Sequence, residues 1–174
     1  MLIKTEDLAE KCIINFYLPS DAVLVKNTML FISSENCDND FIREIFSTDG
    51  IIYCLLTENM ISVKYADKND KDDIKALTLA CIDDCMQGAF NLPQSGGCKN
   101  LIQKCEALAD ALIRPTLNRD KGDIIIFMPS NDVLQVQFTG HCAGCPYAQN
   151  TLQNIIIKTF KRYLPQITEV RLKE

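Results

Sequence analysis

Several features that would narrow a function are missing from this chain. No apolar run approaches the roughly 20 residues that a bilayer span requires, so no membrane partner is expected. The N-terminus, Met1 to Asp7, has no basic segment followed by a long apolar stretch, which argues against a secretory leader. It is not Arg-rich or poor in acids, so it does not read as a transit peptide either. Positive charge is not in excess: the net charge is −5. An acidic chain repels phosphate backbones, so nucleic acid is not expected as a partner. Histidine occurs once, at His141, and there is no internal repeat or extended low-complexity tract.

Cysteine is plentiful by contrast. There are nine, at positions 12, 37, 54, 81, 85, 98, 105, 142 and 145. The count is odd and no secretion signal accompanies it, so a disulfide framework is not expected. In a reducing compartment each thiol is a core filler, a ligand or a nucleophile. A bacterial-type cytoplasm is the default compartment, and the mature form of an organellar matrix protein fits as well. Hydrophobic residues make up 47% of the 174 positions, enough for a packed core in one ordinary domain or two small ones.

The first third reads as β-rich. Cys12, Ile14, Phe16 and Leu18 alternate within Lys11 to Leu18, and Met29 to Ser33 is a second apolar stretch. Phe41, Ile42, Ile45 and Phe46 predict a short helix from about Asp38. Ile51 to Leu56 and Met60 to Tyr65 predict two strands about a turn. A helix follows the charged run Asp67 to Asp73, with Ile74, Leu77, Cys81, Ile82 and Cys85 at helical spacing. Residues 91–98 have linker composition, so the expected domains are 1–90 and 99–174. The second should open with a helix from Lys99 to about Leu112, ended by Pro115, and continue with a hairpin from Asp123 to Thr139. A helix after Pro146, with Leu152, Ile155, Ile156, Phe160 and Leu164 buried, and a strand at Ile167 to Leu172 complete it. The expected class is α+β: two small α/β sandwich domains, the C-terminal one α-β-β-α-β.

The cysteines sort by setting. Cys81, Cys85 and Cys105 lie on apolar helical stripes, and Cys12 and Cys54 sit in apolar strands, so all five read as core. Cys37 and Cys98 fall in polar or Gly-rich segments with no base or second ligand nearby, and read as incidental. Cys142 and Cys145 differ in kind. They occupy a turn between a strand ending in Gly140 and a helix starting at Pro146, a residue favoured at the first helical position. Free N–H groups and the positive end of the helix dipole point at such a site and favour thiolate. Two residues of spacing let both sulfurs reach one metal centre.

Two thiolates do not complete a zinc or iron–sulfur site, which usually takes four ligands. No second Cys-x-x-Cys exists, and ligation by the adjacent His141 and Cys142 together is awkward. A two-fold homodimer resolves the shortage by presenting four thiolates about one axis. A cluster held there would be near the surface and easily lost, which suits a carrier.

The run from Leu112 to Asp123, the hairpin, Gly140 to Pro146 with its Cys-x-x-Cys, Thr151 with Leu152, and Pro165 together resemble the C-terminal domain of NifU-like iron–sulfur cluster scaffold proteins. Met1 to Asp7, Asp49 to Ile51 and Ile61 to Ala66 resemble, more loosely, an N-terminal domain found in many of them. The resemblance implies a scaffold or carrier, not an enzyme, that binds a 4Fe–4S cluster across a dimer through Cys142 and Cys145. It also implies assembly machinery as cluster donor and apo iron–sulfur proteins as recipients. The chain departs from the family at Lys121 and Ile155, where glycine is usual, and at Leu8 to Lys11, where an Asn-Pro pair is common. Two rival readings take the same motif: a thioredoxin-type thiol–disulfide oxidoreductase, and a zinc-binding interaction module shared across a dimer. Only one helix and one short strand follow Cys145, which disfavours the first.

Overall fold

The computed structural model describes residues 3–19, 24–35, 37–66, 71–144 and 146–173. It divides into two compact units, Met1–Lys99 and Asn100–Glu174. Both mix helices with sheets, as the α+β class requires.

The first unit carries strands β1 (Lys4–Leu8), β2 (Ile13–Tyr17) and β3 (Met29–Phe31), helix α1 (Asp40–Ile45), strands β4 (Ile51–Leu56) and β5 (Met60–Tyr65), and helix α2 (Lys71–Met86). The described strands form one sheet in the order β1-β2-β5-β4-β3, every neighbour antiparallel. Alternation along the strands sends one set of side chains to the helices. Ile14 and Phe16, Cys54 and Leu56, and Ile61, Val63 and Tyr65 join Phe41, Ile42 and Ile45 of α1 and Ile74, Cys81 and Ile82 of α2 in one core. Asn39 caps α1 by accepting from the Ile42 N–H at 3.1 Å. Asp7 ties β1 to α2 through Lys71 at 3.3 Å and Lys75 at 3.2 Å.

Cys12 departs from its expected strand position. It ends a short 3-10 turn in the left-handed region, with φ of 52°, and is only partly buried. Segment 91–98, read as a linker, packs within the first unit. The Cys98 N–H donates to the Leu30 carbonyl of edge strand β3 at 2.6 Å, and Asn39 Nδ2 donates to the Asn91 carbonyl at 2.7 Å. The edge is thereby covered by the chain itself.

The second unit begins with helix α3 (Leu101–Leu108), capped by Asn100 Oδ1, which accepts from the Ile102 N–H at 3.2 Å. Pro115 does not stop this helix as expected. The chain widens into a π-turn over Ala109–Ile113 and continues as α4 (Arg114–Arg119), with Pro115 in its first turn. Proline lacks an N–H and crowds the carbonyl four residues back, and a π-turn accommodates both. Strands β6 (Gly122–Ser130) and β7 (Val133–Gly140) form the hairpin, and a 3-10 turn over His141–Gly144 leads to helix α5 (Pro146–Tyr163). The last strand, β8 (Glu169–Leu172), pairs with β7 in parallel.

Ile124, Ile126, Leu134, Val136 and Phe138 are buried, as are Leu108, Leu117, Ile156, Phe160 and Leu164. Ile155 is not: it is 45% exposed, lying about 100° round the helix from Ile156, which takes the inward position. Leu152 lies outside the described side chains. Among the described residues no helix is long and apolar enough to cross a membrane.

Candidate metal centre

The turn that carries Cys142 is built by the two ends of the β6–β7 hairpin. Gly122 pairs with Gly140 at its open end. Gly140 has φ of 62°, and a Cβ there would overlap the Lys121 carbonyl oxygen. That same oxygen accepts from the His141 N–H at 3.2 Å. Glycine at 140 is therefore needed twice, for its backbone angle and for the close approach. The chain then turns through His141–Gly144, which brings Cys142 back over Gly122.

Gly122 is the floor of the site. A Cβ built on it would fall 3.0 Å from Cys142 Cβ and would overlap Cys142 Sγ. The missing side chain is the space the thiol occupies. Cys142 is 3% exposed, so its sulfur is more enclosed than a ligand expected at the surface. Cys145, the other predicted ligand, lies outside the described residues. Among the described residues no group of three or more His, Cys, Asp or Glu is assembled to hold a metal ion. The centre is not completed by described side chains of this one chain. A thiol seated over bare backbone, one residue type away from steric exclusion, fits a soft metal ligand. His141 is exposed.

Four of the remaining thiols are held protonated. Burial pushes Cys105 up to about 12, Cys81 to about 12 and Cys85 to about 11, and raises Cys54 further still. Thiols held protonated pack as small apolar groups. Cys37 and Cys98, far apart in sequence, line one cavity of about 750 Å³ in the first unit, which no local pattern signals.

Sequence reasoning missed the cluster of ion pairs that ties α4 to the start of β6, next to Gly122. Arg114, the first residue of α4, sends its guanidinium to Asp110 at 2.8 Å, Glu106 at 2.7 Å and Asp123 at 3.1 Å. It also donates to the Ile124 carbonyl at 3.2 Å. Burial opposes the charge on Arg114, but Glu106 and Asp110 outweigh it and leave the guanidinium pKa raised. The i, i+4 spacing of Asp110 and Arg114 was the available signal.

Residues 106–171 match the family model described as a NifU-like domain. The chain is 26% identical over 185 aligned residues to the mitochondrial NFU1 iron-sulfur cluster scaffold homolog of Drosophila willistoni, covering 98% of this chain and 63% of that one. It is 25% identical over 181 residues to the human mitochondrial NFU1 iron-sulfur cluster scaffold homolog, covering 98% of this chain and 71% of that one. The chain thus spans somewhat under two thirds of the fly relative's length. Both matches run through the two units and take in the turn just described, and residues 106–171 of the second unit form a NifU-like domain.

Proposed function

We propose that this chain is an iron–sulfur cluster scaffold or carrier that holds its cargo on Cys142 and Cys145 and passes it to apo-proteins. The observation that carries this reading is the Cys142 thiol seated over Gly122, inside the segment that matches the NifU-like domain. The naming of its relatives as iron-sulfur cluster scaffolds supports the cargo's identity.

The cargo is a 4Fe–4S cluster shared between two copies of the chain. Two copies of two thiolates complete the ligand set that one copy lacks. No catalytic dyad is required, and the chain is not an enzyme. Delivery proceeds by ligand exchange: a recipient's cysteine thiolate takes the place of a Cys142 or Cys145 thiolate on iron, with no net change in redox state. The donor is cluster assembly machinery, and the recipients are apo iron–sulfur proteins. The relatives named as mitochondrial bring the organellar matrix forward as a compartment beside the bacterial-type cytoplasm.

The test is anaerobic reconstitution of the full chain with iron and sulfide. The expected result is brown protein absorbing in the visible, a shift to dimer mass, and activation of an apo-acceptor. Mössbauer spectra fix the cluster type. Unchanged cluster yield in Cys142→Ser or Cys145→Ser would overturn the ligand assignment. Insulin reduction without cluster uptake would favour the oxidoreductase reading.

A further inference from the structure

We propose that Arg114 is a positioning residue for the Cys142 thiol, acting through Asp123 and Gly122; this rests on the scaffold reading of the same site. Arg114 joins two elements that together set the floor of the turn. On the helical side, its Nη1 meets Asp110 at 2.8 Å and its Nη2 meets Glu106 at 2.7 Å. On the strand side, its Nε donates to Asp123 Oδ1 at 3.1 Å and Nη2 donates to the Ile124 carbonyl at 3.2 Å. Asp123 Oδ1 also accepts from the Ile124 N–H at 2.7 Å. The start of the β6 backbone is thus held from one side, immediately after Gly122.

Position matters here because Gly122 has no slack. Its Cα sits where a single added methyl would overlap Cys142 Sγ. A sub-ångström drift of β6 would open or close the seat of the thiol. The guanidinium is suited to this role and an ammonium is not. A planar fork bonds carboxylates and a carbonyl in fixed directions, whereas a lysine offers one point charge. The Arg114 side chain is only 11% exposed, so solvent competes weakly for these bonds.

The π-turn contributes to the same geometry. It inserts an extra-wide turn at Ala109–Ile113, directly before Arg114, and so sets the angle from which the side chain meets β6.

The experiment is iodoacetamide labelling of the full apo-chain at fixed pH, with each cysteine followed by peptide mass spectrometry. Cys105, fully buried in the same unit, is the internal gauge of global unfolding. Arg114→Gln is expected to speed labelling of Cys142 by about tenfold with Cys105 still protected, the signature of local opening. Asp123→Ala, which cuts only the strand side, moves Cys142 in the same direction. Arg114→Lys recovers less than about half of the protection. A Cys142 rate within about twofold of the parent, in either variant that keeps Cys105 protected, overturns the proposal. If Arg114→Gln unfolds the unit, Asp123→Ala decides. Loss of Cys105 protection in both makes Arg114 a purely structural residue and likewise overturns it. Labelling is read on apo-protein, so failure of the parent chain to take up a cluster would sink the scaffold reading while leaving this result standing.

Discussion

Gly122 and Cys142 compete for one volume: the thiol of Cys142 fills the space that a side chain on Gly122 would need. Gly122→Ala therefore forces the 141–144 turn or the β6–β7 pairing to move. The expected cost is about 1–3 kcal/mol of stability, typical of an overpacked buried site. Cys142→Ala in the same background removes the sulfur and should recover part of that loss. Urea unfolding of the parent, both single variants and the double variant measures the coupling. Additive effects of the two changes would show that the residues do not share the space.

Gly140 and Gly88 separate two penalties that usually arrive together. Both have positive φ, 62° and 80°. A Cβ at Gly88 meets nothing within 4 Å, while one at Gly140 would overlap the Lys121 carbonyl oxygen. Gly88→Ala should cost about 1 kcal/mol from backbone strain alone. Gly140→Ala should exceed it by at least about 1 kcal/mol and weaken the His141–Lys121 bond. Thermal unfolding of the two variants side by side is the check; equal costs would mean the backbone at 140 yields freely.

Lys121 holds φ of 55° without being a glycine. It is one of two described non-glycine residues in the left-handed region, the other being Cys12. It stands where the resemblance to the NifU-like family leads one to expect glycine. Lys121→Gly should stabilise the second unit by up to about 1 kcal/mol, since the left-handed penalty is relieved and part is returned as unfolded-chain entropy. The melting temperature reads this directly. A fall in stability would indicate that the Lys121 side chain makes a contact worth more than the strain.

What could be read from the sequence divides along physical lines. β4 and β5 emerged at their observed bounds because apolar runs flanked by a tight turn are local signals. β1 did not, because Lys4, Glu6 and Asp7 leave no alternation to find; it is an edge strand held by pairing with β2. Pro115 suggested a stop, yet the helix absorbs it in a π-turn, since buried Ala109, Ala111, Ile113 and Leu117 keep the helix against the core. At the candidate site, the turn that carries Cys142 was legible from Gly140 before it and Pro146 after it. Its floor, Gly122, and the clamp at Arg114 were not, because both act through tertiary contacts that no window of sequence contains. The same applies to Cys37 and Cys98, which share a cavity only after segment 91–98 folds onto β3.

The buried thiols set an alkaline limit on the fold. Burial raises Cys105 and Cys81 from 9.0 to about 12, and Cys85 to about 11. A group whose pKa is raised in the folded state contributes stability that is whole below its unfolded value and is lost as pH rises toward the folded one. The window thus opens near pH 9 and extends to about 11–12. Each such thiol adds a slope of at most about 1.4 kcal/mol per pH unit within it. Urea midpoints followed by circular dichroism should be flat in this respect from pH 7 to about 8.5 and then fall. Cys105→Ala lowers the starting stability of the second unit by leaving a small cavity, but it removes one titrating group and should flatten that unit's decline above pH 9. An unchanged slope in Cys105→Ala would show that the thiol ionises only after the unit has opened for another reason.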